Sequence, residues 1–244
     1  MAKVSGLGDN FYIGGYDLSG DVASLDQISG GPALLDVTPI NKSANVRLGG
    51  QRAGDLQFTT YFDAGSGTTT QEHAILSTLP RTDTVASYFR GTTLGNAAAC
   101  INGKQINYDP TRDNTGNLTL KVEVQSNGYG LEWGKMITPG LRTDTTATTG
   151  TAYDQGAGNT FGAQAYLQLV AFTGTSVDMT ITHATTSGGT YTTLIDFGSQ
   201  TGVGSFRQAV TGTVNEFLKV NTSGTFTVAT FAVVFMLNPV AVTF

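Results

Sequence analysis

The sequence predicts a mainly β protein built from two β-sandwich modules, and three observations carry that prediction. Glycine makes up 32 of the 244 residues and only 13% are charged, against roughly 7% and 25% in an average soluble domain. Threonine is abundant while Lys and Glu are scarce, which favours strands and turns over helices. Several segments alternate apolar and polar residues at the period of a half-buried strand. These features exclude helix bundles and coiled coils.

Other classes fall on similar grounds. No stretch approaches the ~20 apolar residues of a membrane helix, because Thr227, Thr230 and Asn238 interrupt the most apolar run, Phe226 to Pro239. The opening MAKVSGLGDN has one Lys and no apolar core, so it is not expected to be a secretory signal. A lone Cys100 rules out an internal disulfide and a cysteine metal cluster. A net charge of −5 argues against a sequence-reading DNA binder.

Residues 1–32 read as a glycine-rich N-terminal arm. Phe11, Tyr12, Ile13 and Tyr16 interleave with Gly6, Gly8, Gly14 and Gly15. A flexible, aromatic segment suits lying across a neighbouring subunit by strand addition; the other reading is an ordinary meandering strand.

Residues 33–140 form the first β domain. Ala33 to Ile40 is a short apolar run. In Asp55 to Asp63, Leu56, Phe58, Thr60 and Phe62 share one face, and Gln57, Thr59 and Tyr61 the other. Thr69 and Glu72 have capping-box spacing, Ala74, Ile75, Leu76 and Leu79 supply a short apolar face, and Pro80 stops that helix. Ala97 to Tyr108 is expected to be a hairpin turning at Asn102-Gly103. Leu118 to Gln125 alternates most cleanly, with Leu118, Leu120, Val122 and Val124 inward and Thr119, Lys121, Glu123 and Gln125 outward. Asn127-Gly128 then turns into Tyr129, Leu131 and Trp133.

Charge marks a boundary after this domain: 11 of the 13 basic residues lie between Lys3 and Arg142, leaving only Arg207 and Lys219 beyond. Residues 141–160 are rich in Thr, Gly and Ala without apolar periodicity, so they are expected to be a linker. Residues 161–244 then form the second β-sandwich, jelly-roll or immunoglobulin-like, with strands at Ala163–Phe172, Ser176–His183, Tyr191–Phe197, Gly204–Val210, Glu216–Val220 and Phe226–Leu237.

Reactive constellations are missing from the sequence, so catalytic, cofactor-binding and metal-binding residues are assigned as none and the chain is not expected to be an enzyme. His73 and His183 are the only histidines, and no G-x-S-x-G elbow accompanies them. No H-E-x-x-H or C-x-x-C pair occurs. Asp109, Asp113, Asn114 and Gly116 lack the alternate ligand spacing and closing Glu of a calcium loop, and read as a turn. No phosphate-cradling motif follows Gly6-Leu7-Gly8. Low charge, glycine, threonine and no reactive centre describe a building block.

The blocks LQFTTYFD (56–63), TQEHAILSTLP (70–80), SYFRG (87–91) and GNLTLKVEVQSNGYGLEWGKMITPG (116–140) resemble the major tail tube protein of long-tailed, siphovirus-type bacteriophages. DNFYIGGYDLSGDVASLDQISGG (9–31) resembles the opening of such proteins. TGTSVDMTITHATTSGGTYTTL (173–194) and EFLKVNTSGTFTVATFAVVF (216–235) resemble small β-sandwich modules appended to virion proteins. The resemblance implies a tail-tube-like β-sandwich or barrel with an accessory C-terminal sandwich. It also implies a structural virion role: homo-hexameric rings, stacked with other tail proteins into a tube that conducts DNA without binding it. Assembly takes place in the host cytoplasm, and neither cofactor nor membrane is involved.

On that reading Gln57, Thr59, Tyr61, Thr119, Lys121, Glu123 and Gln125 are lumen-facing candidates, the alternative being an ordinary solvent-facing sheet. Phe11, Tyr12, Ile13 and Tyr16 are candidates for the inter-subunit arm. A competing reading is a virion decoration or receptor-binding protein whose C-terminal sandwich holds carbohydrate weakly. Tyr153, Phe161, Tyr166, Tyr191 and Phe206 are the aromatics available to it.

Overall fold

Alternation and β-branched content translate into strands almost throughout. The computed structural model describes residues 5–63 and 72–240, within which lie sixteen strands and one short helix. The first half carries β1 (Asn10–Ile13), β2 (Tyr16–Asp17), β3 (Val22–Asp36), β4 (Arg47–Tyr61), α1 (Glu72–Leu76), β5 (Thr84–Phe89), β6 (Ala97–Gln105), β7 (Asp109–Arg112) and β8 (Leu118–Ser126). The second carries β9 (Glu132–Met136), β10 (Arg142–Asp144), β11 (Thr148–Thr149), β12 (Tyr153–Asp154), β13 (Ala163–Ala184), β14 (Thr192–Gln200), β15 (Gly204–Val210) and β16 (Phe217–Leu237). The protein is mainly β, and its strands pair antiparallel in the ladders described below.

Two compact units result. Unit 1 comprises Met1–Gly20, Thr84–Cys100 and Trp133–Phe244; unit 2 comprises Asp21–Asp83 and Ile101–Glu132. The expected boundaries at 32, 140 and 160 do not separate these units. Residues 84–89 pair with β1 and fall in unit 1, so the first expected domain is divided between the two.

Unit 1 is organised on β13 and β16, which pair from Ala163↔Leu237 to Ala184↔Phe217. Four expected strands are therefore two. The Thr173–Thr175 and Asn221–Thr225 segments, expected as turns, lie within the ladder, passed by bulges at Thr173/Gly174 and Gly174/Ser176. Glycine is required at this crossing. A Cβ on Gly224, at φ +110, would stand 2.5 Å from the Ser176 carbonyl oxygen, and one on Gly174 would stand 2.4 Å from Phe226 Cα.

One face of the ribbon contributes Ala165, Leu167, Leu169, Phe231, Val233 and Phe235 to a core that β14 extends with Ile195 and Phe197. The opposite face sends Tyr166, Ala232 and Val234 into a second cluster with Tyr12, Val85, Phe89 and Met136. Burial on both sides explains why the strand ends read as continuous apolar runs rather than alternating ones.

The segment expected as a linker instead carries three short strands. β10, β11 and β12 each pair with β16, and hydrogen bonds compensate for their missing apolar periodicity. Arg142 bonds Asp144 through Nη2 at 2.6 Å and donates from Nη1 to the Val220 carbonyl at 2.8 Å. Its guanidinium lies 4.8 Å from the Phe231 ring centroid. Thr222 Oγ1 donates to Asp144 Oδ2 at 2.7 Å, completing the satisfaction of a buried carboxylate.

Unit 2 is a sheet in which β3 pairs β4, β4 pairs β8, and β8 pairs β7 and the end of β6. Leu56↔Val124, Phe58↔Val122 and Thr60↔Leu120 are cross-strand pairs, all at most 1% exposed. Fully burying each apolar side chain is worth about 1.5–3 kcal/mol. Thr60 is tolerated there because its hydroxyl donates to the Asp21 carbonyl at 3.0 Å.

Asn102-Gly103 is not a hairpin turn, because β6 runs straight through it. Gly103 pairs with Ser126, where a Cβ would stand 1.9 Å from the Gln125 carbonyl oxygen. Glycine serves close strand approach here rather than a positive φ. The helix is five residues long, and the expected cap Thr69 lies outside the described residues.

Candidate functional site

The seven expected lumen positions come together on one face of unit 2. Pairing sets Gln57 opposite Glu123, Thr59 opposite Lys121, and Tyr61 opposite Thr119, with Gln125 opposite Asp55. β7 extends the row by placing Asp109 beside Lys121 and Thr111 beside Thr119. Tyr61, Lys121 and Gln125 are exposed, the other four half-buried. Short polar bonds organise the face. Gln57 Nε2 donates to Asp55 Oδ2 at 2.8 Å, Gln125 Nε2 to Glu123 Oε1 at 2.7 Å, and Thr59 Oγ1 to Asp26 Oδ2 at 2.7 Å.

Acid predominates: Asp26, Asp55, Asp109 and Glu123 stand against Lys121 and Lys104, the latter opposite Gln125 and ion-paired with Asp83. Burial pushes the Asp55 carboxyl above its ordinary range and the nearby Glu123 charge adds to this, while the Gln57 hydrogen bond opposes both. Asp55 Oδ1 has no hydrogen-bond partner. It borders a cleft of about 520 Å³ whose walls are mostly backbone and small side chains, including Gly30, Gly31, Gly54 and Ser126.

At this cleft the β3–β4 ribbon leaves its sheet. β8 accompanies β4 only over Asp55–Tyr61; from Gly54 back to Arg47, β4 pairs with β3 alone. Two facing glycines mark the departure. A Cβ on Gly54 would stand 2.4 Å from Leu131 N, and one on Gly30 would stand 2.6 Å from Leu131 Cβ, so only glycine lets that segment cross. Ser126 Oγ accepts the Gly54 N–H at 2.8 Å.

Beyond this root the ribbon exposes Leu34 at 65% and Ile40 completely, together with Leu35, Val37, Val46 and Leu48. Its tip is nonetheless ordered. Asp36 Oδ1 accepts Thr38 N–H at 2.9 Å, and Thr38 Oγ1 accepts Val46 N–H at 2.7 Å. Exposed apolar side chains and unpaired strand edges on one projection make this ribbon a candidate association surface. Ala33 to Ile40 is expected from sequence as an ordinary strand. The available signal was its partner, RLGGQRAG (47–54), too poor in large side chains to bury it.

The expected arm residues are occupied elsewhere. Phe11, Tyr12 and Ile13 are at most 3% exposed, and β1 pairs with β2 and β5 of its own unit. Tyr12 meets Phe89 edge-on at 5.0 Å, and burial, then the Asp17 charge, raises its phenol. Tyr16 is half-buried in β2, opposite Ile13. These four therefore fill the chain's own core and edge, correcting the expectation of an inter-subunit arm at these positions. Gln168, unremarked in the sequence, secures the segment. Its Oε1 accepts Gly15 N–H at 2.9 Å, and its Nε2 donates to the Val85 carbonyl at 2.9 Å and Ser87 Oγ at 3.0 Å.

The two histidines, Asp113 and Glu72 make structural contacts. His73 Nδ1 bonds the Tyr108 hydroxyl. His183 Nδ1 accepts Asn215 N–H at 3.0 Å, and burial lowers its pKa. Asp113 Oδ1 closes a turn by accepting Thr115 N–H at 2.8 Å and Asn117 N–H at 2.9 Å. Glu72 is buried, accepts Asp63 N–H at 3.3 Å, and is pushed up to about 7 by burial. Among the described residues no group of three His, Cys, Asp or Glu is placed to hold a metal ion.

No protein-family model and no curated protein matches the chain. Among solved structures it is similar to the SPP1 Dit (gp 19.1) protein, described as a paradigm of the hub adsorption apparatus in Gram-positive-infecting phages. Identity is 12% and the TM-score 0.34, over 96% of this chain and 99% of that one. A superposition of that quality leaves fold and role to be argued from the residues themselves.

Proposed function

We propose that this chain is a structural protein of a bacteriophage tail. On this reading it is a subunit of stacked hexameric rings that form a tube conducting genomic DNA, resident in the virion after assembly in the host cytoplasm. The observation that carries the reading is the exposed apolar β3–β4 ribbon, whose unpaired edges and side chains gain partners when copies close into a ring. The polar face of β4 and β8 supports it further. That face is acidic on balance, and a wall that repels phosphate does not retard passing DNA. The blocks carrying the tail-tube resemblance, 56–63 and 116–140, contain this same face.

Negative-stain electron microscopy of the concentrated protein tests the proposal, with rings or tubes as the expected result. The L34D/L48D double variant is expected to remain folded and to lose them. A parent protein that stays monomeric at high concentration would overturn the reading.

A further inference from the structure

We propose that unit 1 carries a binding site for a single neutral sugar ring, built on Trp133. Trp133 is the only tryptophan in the chain and is 50% exposed, an unusual position for a residue that is highly buried on average. It opens onto a cleft of about 290 Å³ bordered by Lys135, Tyr153, Gln155, Phe235 and Leu237. That volume lies at the small end for ligand sites, room for one ring rather than a chain. Phe235 and Leu237 belong to the edge of the main core and supply an apolar floor. Lys135 and Gln155 supply a polar rim.

The site is built on strands and fixed before any ligand arrives. β9 is pressed onto β16 through Lys135↔Phe235 and Met136↔Val234. A Cβ on Gly134 would stand 2.6 Å from the Phe235 carbonyl oxygen, so glycine lets the Trp133–Lys135 edge sit this close. On the other wall Tyr153 pairs with Leu218, and its ring lies over Gly95. Gln155 is anchored by its N–H to the Glu216 carbonyl at 3.2 Å and by Nε2 to the Asn215 carbonyl at 2.8 Å. Both anchoring groups are donors, which leaves Gln155 Oε1 to accept from a ligand hydroxyl.

Charge selects the ligand class. Lys135 is the one cation lining the cleft, and Asp154 next to Tyr153 already accepts Gly156 N–H at 2.7 Å. Nucleic-acid strands need a basic groove as well as an aromatic platform, whereas this cleft is lined by one cation in a chain of net charge −5. A pyranose offers what the cleft complements: an apolar C–H face for the indole and equatorial hydroxyls for the rim. The aromatics expected from sequence to hold carbohydrate thus contribute one member, Tyr153, with Trp133 as the platform.

Because Trp133 is alone, its fluorescence reports on the cleft directly. The full chain is titrated with methyl β-D-glucopyranoside, methyl α-D-mannopyranoside and N-acetylglucosamine, beside glucuronate and thymidine monophosphate. At least one neutral probe is expected to saturate the signal with a midpoint on the order of 1–10 mM. Saturation-transfer NMR, which needs no tryptophan, then reads the variants. W133A is expected to abolish the signal with an unchanged circular dichroism spectrum, and Q155A to weaken binding about three- to tenfold. No saturation by any neutral probe up to about 100 mM, earlier saturation by glucuronate or the nucleotide, or undiminished binding by W133A would each overturn the site. The titration is indifferent to ring formation, so either proposal can fail without the other.

Discussion

The β3–β4 ribbon of unit 2 and the β13–β16 ribbon of unit 1 use comparably long strands, 15 and 15 residues against 22 and 21. One leaves its sheet and exposes apolar side chains; the other has a core on each face. Backbone pairing alone does not decide which outcome follows. β13 and β16 carry large apolar residues on both faces at their ends and have β14, β15 and the short strands of 142–154 beside them. The outer half of β4 offers Gly49, Gly50, Ala53 and Gly54, which cannot cover leucines across the ladder. What unit 1 completes internally, unit 2 leaves exposed.

The sharpest way to break that contrast is to place the same charge in each ribbon. Leu167→Asp, in the core of unit 1, is expected to cost more than about 4 kcal/mol and to abolish cooperative denaturant unfolding of that unit. Gln168→Ala on the same strand is expected to cost about 1–3 kcal/mol, since it strands the buried Gly15 N–H.

Unit 2 is expected to differ from unit 1 in its pH response. Glu72 titrates near 7 in the folded protein, above its ordinary 4.5, so folding favours its protonated form. Its contribution is complete below the unfolded value and is lost as pH rises through about 7. Melting curves across that window are expected to fall by on the order of 2–4 °C, a dependence that E72Q removes. The smallest effect is expected for Leu34→Asp, within about 0.5 kcal/mol of the parent protein. A large loss there would mean that the ribbon is already covered within the chain.

Local pattern was legible wherever one strand face met water. The faces of Leu56–Tyr61 and Leu118–Gln125 fall as alternation predicts because each has a dry side and a wet one. Glycine misled the reading where it serves backbone approach instead of turning. Gly103, Gly174 and Gly224 all sit within continuous strands against neighbouring backbone. The 142–154 strands were hidden for another reason: side-chain bonds such as Arg142–Asp144 and Thr222–Asp144 hold them, and these leave no periodic trace. The candidate assembly face was half visible, its polar rows written in the alternation but its apolar projection apparent only once the partner strands were known. Trp133 read simply as the end of a strand, since nothing in sequence announces which aromatic remains uncovered.

The nesting of the units bears on how the chain is made. Synthesis delivers every residue of unit 2 by Glu132, whereas unit 1 begins with Met1–Gly20 and still lacks β16, to which much of it attaches. A nascent chain can therefore finish the inserted unit on the ribosome while the host unit waits for its closing strand. Ribosome-stalled intermediates halted before Phe217 should carry one protease-resistant body and one that is still open.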